Sequence, residues 1–64
     1  MPSNPPVTLE VCQQFLDKGG DPQGYLGAPP SVHTAQDILN WRNGLAQAQQ
    51  AIVNGLIWQW IQGG

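Results

Sequence analysis

In the segment TLEVCQQFLDKGG, apolar residues fall at Leu9, Val11, Cys12, Phe15 and Leu16, with Glu10, Gln13, Gln14 and Asp17 between them. At about 100° per residue the apolar set lies within an arc of roughly 160°. This pattern predicts a short amphipathic helix over about residues 9–18. Thr8 is its expected cap, Glu10 sits in its first turn, and Gly19 follows Lys18 at the C′ position.

A second pattern starts at TAQD, where Asp37 stands three residues after Thr34 in an approximate capping box. No proline occurs from Ala35 to about Ile61, so the sequence predicts one helix of about 27 residues and about 40 Å. With Ile38 at 0°, Trp41, Leu45, Ala48, Ile52 and Leu56 lie between about −80° and 0°, and Leu39, Ala46, Val53, Ile57 and Trp60 extend the stripe from about 40° to 100°. Ile38, Trp41, Leu45, Ala48 and Ile52 keep a/d spacing for about two heptads, a seam that suits another helix. Gly44 and Gly55 interrupt the stretch, each at a cost of about 1 kcal/mol against alanine. Both follow asparagine, so each marks a place for a kink or break. The expectation for Gly44 is a tolerated glycine; at Gly55, tolerance and close approach of another backbone both stay open.

Residues 19–33, GGDPQGYLGAPPSVH, hold four glycines and three prolines. That density argues against a regular helix and predicts a long irregular connection anchored by Tyr25, Leu26 and Val32. The head, MPSNPPV, has three prolines in its first six residues and reads as an extended arm over 1–7. The expected fold is therefore all-α and a single small helical domain over 1–64: arm, short helix, connection, long helix.

Composition narrows how such a chain stays folded. Sixty-four residues bury only about 60% of the surface of the unfolded chain, so an added source of stability is expected. One cysteine, Cys12, makes no internal disulfide, and one imidazole, His33, builds no zinc site with it. Assembly is the addition left. Charged residues are 9% of the chain, against about 25% on average, which leaves the surface poorly protected against association. With Lys18 and Arg42 the sole cations and a net charge of −2, phosphate neutralisation is not available, and neither nucleic acid nor anionic lipid is an expected partner. The absence of a basic n-region and of a long apolar run predicts neither a secretory signal nor a membrane span.

Candidate chemistry is sparse. A cysteine hydrolase would have to combine Cys12 and His33 with an orienting group such as Asp37 or Asn40, yet Cys12 lies in the apolar arc of the first helix and reads as a small core residue. Glu10, Asp17, Asp21 and Asp37 read as solvated or capping carboxylates. DKGGDPQG lacks the ligand series of a calcium loop, and GGDPQGYLG lacks the Lys-Ser or Lys-Thr of a phosphate loop. No catalytic residue, cofactor or metal is expected. Arg42 and Gln49 project inside the apolar stripe, either snorkelling to its edge or hydrogen-bonding across an interface to fix its register.

The tail poses a burial problem. From Leu56 to Ile61 only Gln59 is polar, and on a helix Leu56, Trp60, Ile57, Ile61 and Trp58 point at about 0°, 40°, 100°, 140° and 200°. A first helix of about ten residues covers only about 15 Å of one side, so Trp58 is expected to be covered by another chain. The expected function is that of a small non-enzymatic structural or accessory subunit of a large assembly, a bacteriophage particle being the natural setting and the virion, assembled in the host cytoplasm, the expected location. Its interface is expected to involve Trp41, Leu45, Ile52, Leu56, Ile57, Trp58, Trp60 and Ile61 with Arg42, Gln49 and Tyr25, and self-association to run through 38–61. The alternatives are a Trp-rich membrane-surface peptide, disfavoured by a polar face without lysine or arginine, and a helical module for one protein partner.

Overall fold

In a computed structural model that describes residues 5–63, the chain forms α1 (Leu9–Asp17), α2 (Pro22–Leu26), α3 (Ala35–Asn43) and α4 (Gln47–Gly63), with no strand among those residues. Residues 1–4 of the expected arm lie outside the described residues. The rest of that arm does not drape outward: Val7 is buried in the chain's own core.

The first helix forms as its sequence predicts. The Thr8 hydroxyl accepts the Val11 N–H at 3.3 Å. At the other end Gly19 takes a φ of 81°, and the N–H groups of Gly19 and Gly20 donate to the carbonyls of Leu16 and Phe15 at 3.0 and 2.9 Å. These are the paired bonds of a Schellman motif, which a left-handed glycine allows. Val11, Cys12 and Phe15 are buried, while Leu9, at the edge of the arc, is left 45% exposed.

The connection differs from expectation, because residues 22–26 coil into α2. Its start has a local cause: the Asp21 carboxylate accepts the Gln23 N–H at 3.1 Å, and Pro22 at the first helical position gives up no needed donor. Gly27 ends it with a φ of 76°. The Gln23 side-chain amide then donates to the carbonyls of Pro29 and Val32, tying the loop back on the helix. Leu26 and Val32 are buried as predicted anchors, and Tyr25 is half-buried.

The single helix over 35–61 is not what forms. The chain turns at Gly44, Leu45 and Ala46, dividing the stretch into α3 and α4. Gly44 is thus a break and not merely a tolerated glycine, whereas α4 runs unbroken through Gly55 to Gly63. Burial explains the choice. A straight helix would carry its second half away from α1; the turn folds α4 back so that α1 packs on both α3 and α4, and α2 closes on α4. Val53 is 4% exposed and Ile57 0% in this arrangement. Two such side chains contribute about 1.5–3 kcal/mol each, more than the about 0.5–1.5 kcal/mol net of each of the few helical hydrogen bonds given up at the turn.

The turn is held by Gln50, whose amide nitrogen donates to the carbonyls of Asn43 at 3.2 Å and Leu45 at 2.9 Å. These are carbonyls that the end of α3 leaves without helical partners. The core is Val7, Val11, Cys12, Phe15, Leu26, Ala28, Val32, Ala35, Ile38, Val53 and Ile57, drawn from every helix and from the connection.

Candidate protein-interaction surface

The aromatic tail closes on its own chain. Trp60 donates its indole N–H to the Lys18 carbonyl at 3.1 Å and meets Phe15 and Tyr25 edge-on, with ring centroids 6.2 and 5.1 Å apart. Trp58, on the other side of α4, donates to the Pro5 carbonyl at 2.9 Å. Both rings are half-buried and pack against the core. For Trp58, expected to be covered by another chain, the arm and the core of the same chain supply part of the cover, because the turn at Gly44 brings α4 back over α1.

The residues expected at an interface fall into three sets. Ile57 is fully buried in the core of its own chain. Tyr25, Trp41, Leu45, Leu56, Trp58, Trp60 and Ile61 are half-buried around that core. Ile52 and Gln49 face outward, Ile52 with 57% of its surface exposed. Arg42 works within the chain: one guanidinium nitrogen donates to the Asn43 side chain at 2.8 Å and another reaches the Gln50 amide oxygen at 3.5 Å. Among the described residues its Nε, and Oδ1 of Asn54, are buried without a partner.

The outward side of α4 extends well beyond the Ile52 that sequence reasoning singled out as an interface residue. Ala48, Ala51, Ile52, Gly55, Gln59 and Gln62 are all exposed and fall within an arc of about 100° on the side of the helix away from Val53. No residue of α4 carries a charge. A Cβ built on Gly55 would meet nothing within 4 Å, so nothing in this chain requires a glycine there. The signal was present in the sequence: small and amide residues recur at spacings of three and four, hidden because the assumed orientation of the helix was that of a straight rod.

Other features offer little chemistry. Cys12 is fully buried, and burial pushes its thiol up while the nearby Arg42 charge acts in the opposite direction. His33 is exposed, and its backbone N–H donates to Asp37 at 3.0 Å. The Asp37 carboxylate also accepts the Thr34 N–H at 3.1 Å, and Asp37 N–H donates to the Thr34 hydroxyl at 3.1 Å, completing the capping box. The Thr34 backbone, then that of His33, holds the Asp37 carboxyl below its usual range. Among the described residues no group of three or more His, Cys, Asp or Glu side chains is placed to hold a metal, and no helix is long and apolar enough to cross a membrane. An open cleft of about 240 Å³ lies between Tyr25, Gln59, Trp60 and Gly63, below the roughly 300–1,000 Å³ of small-molecule sites.

Comparison with protein-family models, curated proteins and solved structures finds no match for the chain. The surface of α4 is therefore read on its own physical terms.

Proposed function

We propose that this chain is a small non-enzymatic structural or accessory subunit of a large protein assembly, with a bacteriophage particle as the setting, and that it acts by adhesion through α4. The observation that carries the reading is the outward face of α4: uncharged, exposed, and centred on small residues beside the projecting Ile52. Amide and alanine surface is desolvated at less cost than charge. A single exposed isoleucine flanked by small side chains forms a shallow knob that another helix can seat.

Size separates an assembly role from that of a discrete binding module. One face of a helix of 17 residues is about 25 Å long and covers on the order of 300 Å² per partner, against about 800 Å² per partner in a standard specific interface. One such contact is weak. Repeated among many neighbours it becomes strong by multivalency, which favours a subunit of an array over a one-to-one complex. Self-association belongs to the same reading, restricted now to the outward part of 38–61. The membrane-surface alternative would have to free Trp58 and Trp60 from Pro5 and Lys18.

The test is sedimentation of the native material that contains this chain. It is expected in a particle of many subunits, and Ile52→Lys is expected to release it without unfolding it. A native chain that sediments free would overturn the proposal. Liposome flotation of the purified chain would instead support the membrane reading.

A further inference from the structure

The turn between α3 and α4 has the features of a hinge. We propose that residues 44–46 open so that α4 is exchanged between two copies of this chain, α4 of each copy packing on α1 and α2 of the other while α3 and α4 join into one helix.

Four observations carry this. The turn begins close to helical: Gly44 lies at φ −85° and ψ −6°, and the N–H groups of Gly44 and Leu45 still donate to Trp41 and Arg42 at 3.1 and 3.0 Å. No proline stands anywhere from Ala35 to Gly63 to forbid the continuous helix. The cap position before α4 is Ala46, whose carbonyl accepts the Gln50 N–H at 2.9 Å, and alanine is among the poorest capping residues. The closed form is therefore held at the turn chiefly by the Gln50 amide on Asn43 and Leu45, with Arg42 reaching Gln50 only at 3.5 Å and keeping an unpartnered Nε.

The occupant follows from complementarity. The inner face of α4, Val53 and Ile57 with Trp60, is shaped to α1 and α2 of this chain, so a second copy offers the same seat. Exchange conserves those contacts and adds helical bonds across 44–46. A short hinge that resists bending is the usual setting for such exchange. This stands apart from adhesion by the outward face of α4, which exchange leaves exposed.

Two substitutions separate the closed and exchanged forms. A Cβ at Gly44 would sit 3.6 Å from the Trp41 carbonyl oxygen, an ordinary contact, so Gly44→Ala fits the closed form yet favours the straight helix. Gln47→Pro fits the first position of α4 in the closed form but removes a hydrogen bond and clashes in a continuous helix. The full chain would be refolded from denaturant at about 10 µM and at about 1 mM, then sized after dilution. Wild type is expected to give a dimer only from the concentrated sample, one that persists on dilution because separation requires opening. Gly44→Ala is expected to raise the dimer association constant roughly tenfold, Gln50→Ala to raise it as well, and Gln47→Pro to abolish the dimer with unchanged helical circular dichroism. The proposal is overturned if wild type, Gly44→Ala and Gln50→Ala stay monomeric at both concentrations, if Gln47→Pro dimerises like wild type, or if the dimer dissociates as fast as it is diluted. Should Gln47→Pro fail to fold, the Gly44→Ala and Gln50→Ala dimers decide alone.

Discussion

Trp58 and Pro5, 53 residues apart in sequence, are joined by an indole N–H to carbonyl hydrogen bond of 2.9 Å. That bond links the arm before α1 to the last turns of α4, so the two ends of the described chain hold one another. Because the bond is exposed, water replaces it when it is lost. Trp58→Phe keeps most of the ring's contact and is expected to cost about 0.5–1 kcal/mol in urea unfolding. A loss of more than about 2 kcal/mol would mean that the bond is shielded from solvent in a way its exposure contradicts.

Gly20 is fixed by its neighbour instead of by its backbone angles. A Cβ there would come within 2.6 Å of the Phe15 ring, and that ring is fully buried between Tyr25 and Trp60. The ring has nowhere to retreat. Gly20→Ala is expected to destabilise the fold by about 1–3 kcal/mol through overpacking, with perturbed near-ultraviolet aromatic circular dichroism. An unchanged midpoint and spectrum would contradict that packing.

Local signals were legible in the sequence where short-range chemistry decides the outcome. Thr8, Gly19, Thr34 and Asp37 perform the capping roles their positions suggest, and the apolar arc of α1 faces inward at Val11, Cys12 and Phe15. Helix α2 was also encoded, in the Asp21-Pro22 start and the Gly27 stop, but glycine and proline density masked it. The turn at Gly44 was not decidable locally. Asn43-Gly44 and Asn54-Gly55 look alike as dipeptides, yet one ends a helix and the other lies within one. The difference is tertiary: bending at the first lets Val53 and Ile57 reach α1, and Gln50 is placed to satisfy the carbonyls that the bend exposes. With the bend missed, the burial of the tail was assigned to a neighbour, and of the outward face of α4 only Ile52 was singled out for an interface.

Asp37 ties stability to pH. Its carboxyl is held below the ordinary range first by the Thr34 backbone N–H and then by that of His33, so its folded pKa is lower than its unfolded value of about 3.9. The stabilisation is therefore fully present above about pH 4 and is lost as pH falls through the folded value. Asp37→Asn is expected to lower the thermal midpoint at pH 7 and to flatten its fall below about pH 4. Thr34→Ala, which removes the other half of the box, is expected to cost about 1 kcal/mol at all pH values. If the wild-type and Asp37→Asn midpoints ran parallel from pH 7 to about pH 2, the carboxylate would not be contributing.

Ile52 and Ile57 sit five residues apart on α4, one facing outward and the other in the core. Ile57 is 0% exposed and Ile52 57% exposed, so the same truncation removes core packing at one and solvent-facing surface at the other. Ile57→Ala is expected to cost about 2–5 kcal/mol, enough to unfold much of a domain of this size. Ile52→Ala is expected to change stability by less than about 0.5 kcal/mol, and the higher helix propensity of alanine offsets part of even that. If α4 adheres as proposed, the order reverses for incorporation into an assembly. Ile52→Ala is expected to weaken incorporation at equal folded concentration, because the projecting side chain is the largest apolar group on the outward face. Chemical denaturation and particle incorporation measured on both variants check this: a stability loss at Ile52 comparable to that at Ile57 would place Ile52 in the core, and full incorporation of Ile52→Ala would move adhesion off this face of α4.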